Sequence, residues 1–323
     1  MNQKTNISQI AVVGTGVIGA GWIARCLAHG IQVTATDPAP DAEANLRKSL
    51  QQAWPSLEKT GIRPGASPED LIFEKDMAKA VEKADLIQEN VPEVLELKHQ
   101  VLGAISQACR KDAIIASSTS GITPSVLQQG CHYPERLLVA HPFNPVYLLP
   151  LVELVAGEKT EPAVLTRAES FYQEIGMKPL IVRREVEGHV ADRLMEALWR
   201  EALHIVNEDI ATTEEIDAAI IYGAGLRWAQ MGPFLTFHMA GGEAGMRHML
   251  KQFGPALKLP WTKLEAPELT EDLKEKVING CETHAGNKSV TALAAKRDEF
   301  LVEVLQLAEK YWPEPQSIMK NQG

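Results

Sequence analysis

Apolar and polar positions follow two different regimes along the chain. In the first half, apolar runs of strand length alternate with longer stretches in which apolar residues recur at helical spacing. Gln9–Val13 is a buried-strand pattern closed by Gly14. The run from Val17 through Trp22, Ile23 and Leu27 predicts a helix that stops at Gly30. Ile31–Thr36 is a second strand, ending at Asp37, and completes a βαβ unit. Between Pro40 and Lys83, enrichment in Ala, Glu, Leu and Lys predicts helix on both sides of a turn at Gly61–Gly65. Strand patterns return at 85–89, 113–117, 136–140, 151–155 and 179–182, with helices expected over 95–108 and 162–175. Strands alternating with helices of this length predict a mostly parallel, doubly wound sheet.

Beyond Arg184 the strand pattern fades. Val190–Asn207 is a long amphipathic stretch, and Thr212-Thr-Glu-Glu215 has the form of a capping box that starts a helix. Further helices are expected over 243–253, 270–280 and 293–312. The predicted fold class is therefore α/β. It consists of an N-terminal Rossmann-type dinucleotide domain (1–186) followed by an all-helical C-terminal domain (187–323).

Composition narrows the function. A length of 323 residues suits two domains better than one. With 45% apolar and 23% charged residues the chain is an ordinary globule. Its net charge of -10 disfavours nucleic acid, which demands clustered Lys and Arg. No apolar run approaches the ~20 residues of a membrane span, and Met1–Ser8 lacks a signal-peptide core, so a cytoplasmic protein without a membrane partner is expected. Cys26, Cys109, Cys131 and Cys281 are scattered, with neither a CxxC pair nor metal-ligand spacing; no metal site is expected.

Gly14-Thr15-Gly16-Val17-Ile18-Gly19 follows a strand and opens a helix, the setting in which a GxGxxG motif binds a dinucleotide. Gly14 permits the tight turn, Gly16 lets the backbone approach a pyrophosphate, and Gly19 allows close helix–strand packing. Unpaired N–H groups at the helix start face the phosphates. Asp37, at the end of the second strand, is placed to accept from the adenosine ribose hydroxyls. A 2′-phosphate at ~4 Å would be repelled by roughly 1 kcal/mol per charge pair in water and ~4 at an intermediate dielectric. No Arg follows closely, so NAD is preferred over NADP.

A second cluster, His141-Pro-Phe-Asn-Pro-Val146, follows an apolar strand, and Glu153 lies inside the apolar run Leu149–Val155. A buried carboxylate requires a partner. An imidazole bonded to it through one nitrogen is fixed in tautomer and made more basic at the other. Ser120 also falls just beyond a strand end, where ligands sit in doubly wound sheets. These positions leave the substrate open.

Residues 9 to about 240 resemble the L-3-hydroxyacyl-CoA dehydrogenase superfamily. The shared marks are the glycine motif, Asp37, Glu93 with Lys98, Ser120, His141-x-Phe-Asn-Pro-Val146, Glu153, Gly188 with Arg193, and Met231-Gly-Pro233. The resemblance implies His141 as catalytic base paired with Glu153. It implies Ser120 and Asn144 as polar groups near the reacting oxygen, Glu93 and Lys98 along the cofactor, and a homodimer formed through the helical domain. To about residue 310 the chain is most similar to the group of that superfamily that oxidises L-carnitine at C3, on the stretches 141–150, 197–203, 223–228 and 253–256. That likeness implies a trimethylammonium substrate. Aromatic faces attract such a cation by about 0.5 to 2 kcal/mol per ring, and Phe143, Tyr147, Trp199, Trp228, Phe234 and Phe237 are the candidates. The superfamily's Pro-Gly-Phe-x-x-Asn-Arg is replaced here by Glu187-Gly-His-Val-Ala-Asp-Arg193, so the substrate-side position carries Asp192, an acid suited to a cation. The Lys-rich helical hairpin that clamps CoA is shortened. Alternatives are a relative acting on L-gulonate or a 3-hydroxyacyl-CoA, and a non-catalytic crystallin-like NAD-binding protein.

Overall fold

The computed structural model describes residues 5–311, apart from 230, 264, 266 and 286–288. The chain divides into two compact units, Met1–Arg193 and Leu194–Gly323. The first unit contains one eight-stranded sheet. In chain order its elements are β1 (Gln9–Val13), α1 (Val17–Ala28), β2 (Gln32–Thr36), α2 (Ala42–Thr60), β3 (Ile72–Phe73) and α3 (Met77–Val81). There follow β4 (Leu86–Glu89), α4 (Leu95–Ala108), β5 (Ile114–Ser117), α5 (Pro124–Leu127), β6 (Leu137–Pro142), β7 (Leu151–Ala156), α6 (Pro162–Glu174) and β8 (Lys178–Val182).

The strand order is β3-β2-β1-β4-β5-β6-β7-β8. Its first six strands have the Rossmann order, with the reversal between β1 and β4 where a dinucleotide crevice forms. All pairs are parallel except β6 with β7. The 143–150 connection is too short to hold a crossover helix, so the chain returns antiparallel.

The expectation of helix throughout 40–83 is corrected: Ile72–Phe73 forms edge strand β3, parallel to β2. Two residues at a sheet edge carry too little period-2 pattern to stand out against the surrounding helical composition.

Alternate residues of each central strand face opposite layers. Ile10, Val12, Val33, Leu86, Ile114, Leu138 and Leu154 join α1, α2 and α6 in one core. Ala11, Val13, Ile87, Ile115, Val139 and Val155 join the α4 side in the other. Burial on both faces explains why these strands read as continuous apolar runs.

The second unit is helical. Helix α7 (Ala191–Asn207) leads into it, followed by α8 (Thr213–Ala219), α9 (Gly225–Trp228), α10 (Pro233–Ala240), α11 (Gly245–Phe253), α12 (Glu271–Ala285) and α13 (Val290–Tyr311). The expected helix over 293–312 ends on a residue outside the described ones. The Thr212 hydroxyl accepts from Glu215 N–H at 3.3 Å, and the Glu215 carboxylate accepts from Thr212 N–H at 2.8 Å, so the capping box forms as the sequence predicts. Helices α9 and α10, in the aromatic-rich stretch after Ile221, lack the amphipathic spacing that would announce them. Among the described residues, no helix is long and apolar enough to cross a membrane.

Candidate active site

The glycine loop lies at the carboxyl end of β1. Gly14 adopts φ +88, and a Cβ there would lie 2.8 Å from the Asn90 carbonyl oxygen at the end of the neighbouring β4. At Gly19 a Cβ would lie 2.0 Å from the Gly14 carbonyl oxygen. Neither position tolerates a side chain. Gly16 is the opposite case: a Cβ there meets nothing within 4 Å, so the loop opens outward at the point where α1 begins. No side chain caps α1, which leaves the first N–H groups of the helix, from Val17, Ile18 and Gly19, without an intrahelical acceptor. An open backbone cradle with unpaired donors fits a pyrophosphate. The Asp37 carboxylate accepts from Thr15 N–H at 2.8 Å, Thr15 Oγ1 at 3.1 Å and Ala39 N–H at 2.9 Å, so the acid also braces the loop beside it.

The antiparallel β6–β7 pairing sets His141 directly opposite Glu153. Opposed residues on such strands point to the same face, and the register alone brings the two side chains together. His141 Nδ1 lies 3.0 Å from Glu153 Oε2, and Glu153 is fully buried. Its other oxygen accepts from the N–H groups of Val190 (2.9 Å) and Ala191 (3.0 Å). Burial pushes the Glu153 carboxyl up, but these bonds from His141, Ala191 and Val190 outweigh it and hold the group below its ordinary value. An ionised carboxylate only accepts, so Nδ1 carries the imidazole proton and Nε2 presents a lone pair. Asp192 Oδ2 stands 3.6 Å from that Nε2. The Phe143 ring packs edge-on against the imidazole at 5.4 Å. His189 lies on another side, also at 5.4 Å between ring centroids.

A buried polar network fixes the ends of β4 and β5. Lys98 Nζ donates to Glu89 Oε1 at 3.0 Å and to the Val91 carbonyl at 3.1 Å, and pairs with Glu93 Oε2 at 3.4 Å. Ser117 Oγ donates to Glu89, and Thr119 Oγ1 donates to Glu93, whose same oxygen accepts from Gly121 N–H at 3.0 Å. Burial raises the Glu93 carboxyl, and the bonds from Thr119, Gly121 and Lys98 together bring it below its usual value. Ser120 sits between Thr119 and Gly121 with its side chain exposed.

Helix α1 is tied to the loop that follows His141 by Arg25. Its Nε donates to the Val146 carbonyl at 2.8 Å and its Nη1 to Ile175 at 3.2 Å. Burial lowers this guanidinium to about 10.

Residues 9–186 match the family described as 3-hydroxyacyl-CoA dehydrogenase, NAD binding domain, and residues 188–286 match its C-terminal domain. The chain belongs to the 3-hydroxyacyl-CoA dehydrogenase family. It is an NAD-dependent oxidoreductase. Within the family it is 62% identical over 310 residues to an L-carnitine dehydrogenase of Bacillus cereus, covering 96% of this chain and 95% of that protein. It is 56% identical over 302 residues to an L-carnitine dehydrogenase of Pseudomonas putida, covering 94% of each. Among solved structures it is similar to 5-formyl-3-hydroxy-2-methylpyridine 4-carboxylic acid 5-dehydrogenase, an NAD+-dependent dismutase. That likeness has a TM-score of 0.79 and 30% identity, and covers 94% of this chain and 99% of the other.

Of the residues singled out in the sequence, this family member brings together His141, Glu153, Asp192 and Phe143 in one cluster, and Glu93 with Lys98 in another. Lys98 is buried in its ion pairs. Asn144 is exposed one residue beyond Phe143, and Tyr147 is half-buried against the core. Ser120 makes no side-chain hydrogen bond among the described residues, with His141 or otherwise. Trp199 and Trp228 belong to the helical unit, where both are exposed. The sequence reading passed over Glu89, Thr119, Arg25 and the contacts of His189. Glu89 carried a signal like that of Glu153, a carboxylate in an apolar strand, and Arg25 stood alone in an apolar helix. Thr119 and His189 carried none, because their partners lie far away in sequence.

Proposed function

We propose that this enzyme oxidises the C3 hydroxyl of L-carnitine to 3-dehydrocarnitine. The observation that carries the proposal is the identity, along nearly the whole chain, to proteins named L-carnitine dehydrogenase. The site's chemistry supports it. His141 Nε2 takes the hydroxyl proton, and ionised Glu153 stabilises the imidazolium that forms, a contribution of roughly 10² to 10⁴ in rate. Bound at the glycine loop, NAD would supply the acceptor for the C3 hydride, which leaves the carbon a ketone. Ser120 and Asn144 hydrogen-bond the reacting oxygen. The backbone N–H groups of residues 17–19 would hold the pyrophosphate, Asp37 the adenosine ribose, and Glu93, held in place by Lys98, would flank the cofactor.

Asp192 distinguishes a cationic substrate from an acyl-CoA. A carboxylate beside the base attracts a trimethylammonium and repels a CoA phosphate. Phe143, packed against the base, and Tyr147 offer faces to the same cation.

The division at 186/187 separates the cofactor domain from a helical domain for substrate binding and dimerisation. Many large apolar side chains of that helical domain are exposed, as expected of a surface covered by a second copy. The enzyme works in the cytoplasm, without a nucleic-acid or membrane partner. NADH formation with L-carnitine, D-carnitine, L-gulonate and 3-hydroxybutyryl-CoA tests the substrate. Turnover with L-carnitine at least tenfold above the others is expected; preference for the CoA ester or gulonate overturns the assignment, and no turnover with any favours a crystallin-like role.

A further inference from the structure

We propose that His189 is a positioning residue that fixes the Ser120 segment to the His141–Glu153 dyad. The inference rests on the assignment of Ser120 to the reacting oxygen. His189 is fully buried, and its Nε2 lies 3.3 Å from the Thr119 carbonyl oxygen. A carbonyl only accepts, so Nε2 carries the proton. The opposite nitrogen, Nδ1, has no hydrogen-bond partner among the described residues. The ring is therefore neutral and acts as a single-point donor.

Three observations give this one bond a purpose. First, the turn that carries His189 also supplies the Val190 and Ala191 N–H groups to Glu153 at 2.9 and 3.0 Å. Side chain and backbone of one turn thus grip the carboxylate of the dyad and the residue before Ser120. Second, Thr119 is already held at its hydroxyl by Glu93 and at its N–H by Ser117 Oγ at 3.3 Å. The His189 bond holds its carbonyl, the group that leads directly into Ser120. Third, His189 keeps a left-handed backbone, φ 47, closed by its own N–H donating to the Val186 carbonyl at 3.1 Å. Left-handed geometry is costly for a side chain with a Cβ and persists where surrounding contacts determine it. A phenyl ring would fill the same space between Thr119 and His141 but would donate nothing. The imidazole is explained by the donor.

The test uses the full-length enzyme with His189→Asn, His189→Gln, Ser120→Ala and the Ser120→Ala/His189→Asn double variant. Asn accepts left-handed φ readily but its amide falls one bond short. Gln places an N–H at the same bond count as Nε2. Two readouts are taken after melting curves establish folding: NADH formation with L-carnitine, and hydrogen–deuterium exchange of the peptide spanning 117–123 in the enzyme without ligands. Expected results are a roughly tenfold fall in kcat for His189→Asn, faster exchange over 119–122, and recovery of both in His189→Gln. The double variant should lose no more than Ser120→Ala alone. Unchanged exchange in His189→Asn, or losses that multiply in the double variant, overturn the proposal. A neutral Ser120→Ala with altered exchange in His189→Asn instead removes the role given to Ser120, and with it the catalytic half of the inference.

Discussion

The sheet unit and the helical unit use their apolar residues in opposite ways. In Met1–Arg193 the strands bury alternate side chains into two cores, and Lys98 and Arg25 are buried with partners, Lys98 with Glu89 and Arg25 with carbonyls of two segments, the loop at Val146 and Leu149 and the residue after α6, Ile175. In Leu194–Gly323 the buried apolar side chains among the described residues are Leu203, Val206, Leu273 and Val302. Phe234, Leu257, Trp261, Tyr222 and Phe300 stand open. A unit that completes its own core fixes groups to fractions of an ångström, which proton transfer requires. Under the proposed function the first unit carries the chemistry and the uncovered apolar faces of the second carry assembly, and substitutions in each should separate the two properties.

The largest expected effect is at the base. His141→Ala should lower kcat by roughly 10² to 10⁴ while leaving the melting temperature within a few degrees, measured by NADH formation and calorimetry. Equal turnover by His141→Ala would remove the assignment of chemistry to the sheet unit. Next is cofactor choice. Asp37→Arg replaces a like charge by an attraction for a 2′-phosphate and should shift the NAD-over-NADP ratio of kcat/KM by tenfold or more. An unchanged ratio would mean that the carboxylate serves only to brace Thr15 and Ala39.

Assembly should respond to the other unit. Phe234 and Leu257 are 82% and 85% exposed. Phe234→Glu or Leu257→Glu places a charge in any surface that covers them, which is costly to bury unpaired. Sedimentation velocity should show a dimer that dissociates at roughly tenfold higher protein concentration than the unsubstituted enzyme. If both variants remain dimeric, the apolar face serves another purpose. Smaller again is the cap of α8: Thr212→Ala should cost about 1 kcal/mol of the helical unit's stability by urea unfolding, with kcat unchanged.

The same contrast explains what was legible in the sequence. The β1–α1–β2 unit and the glycine motif were plain because strand, turn and helix signals are local and mutually consistent. Glu153 was legible as a carboxylate stranded in an apolar strand, and pairing register then delivered it to His141. Edge strand β3 escaped because two residues carry no period, and α9 and α10 because their helices are apolar on more than one face. His189 could not be read at all. Its meaning lies in a bond to Thr119, which no spacing rule connects to it.

The smallest expected effect is a pH dependence confined to the sheet unit. Burial lowers His189 from its ordinary value of 6.5, with the Thr119 carbonyl raising it in part; His141 lowers it further, and Glu153 and Asp192 raise it. Burial likewise lowers His29 from 6.5, against its bond to the Arg25 carbonyl. A histidine whose folded pKa is depressed binds fewer protons folded than unfolded between the two values. Its contribution is complete above the unfolded pKa and is lost as pH falls through the folded one. The urea midpoint of the sheet unit should therefore decline as pH drops from about 7 toward 5, before the carboxylates Glu93 and Glu153, depressed below 4.5, begin to protonate. His189→Asn should flatten that decline and His29→Asn should flatten it separately, since the two sites share no partner. A midpoint that is constant over this range in the unsubstituted enzyme would show that both imidazoles gain access to water before they bind a proton, and that the turn holding Glu153 opens more readily than its hydrogen bonds imply.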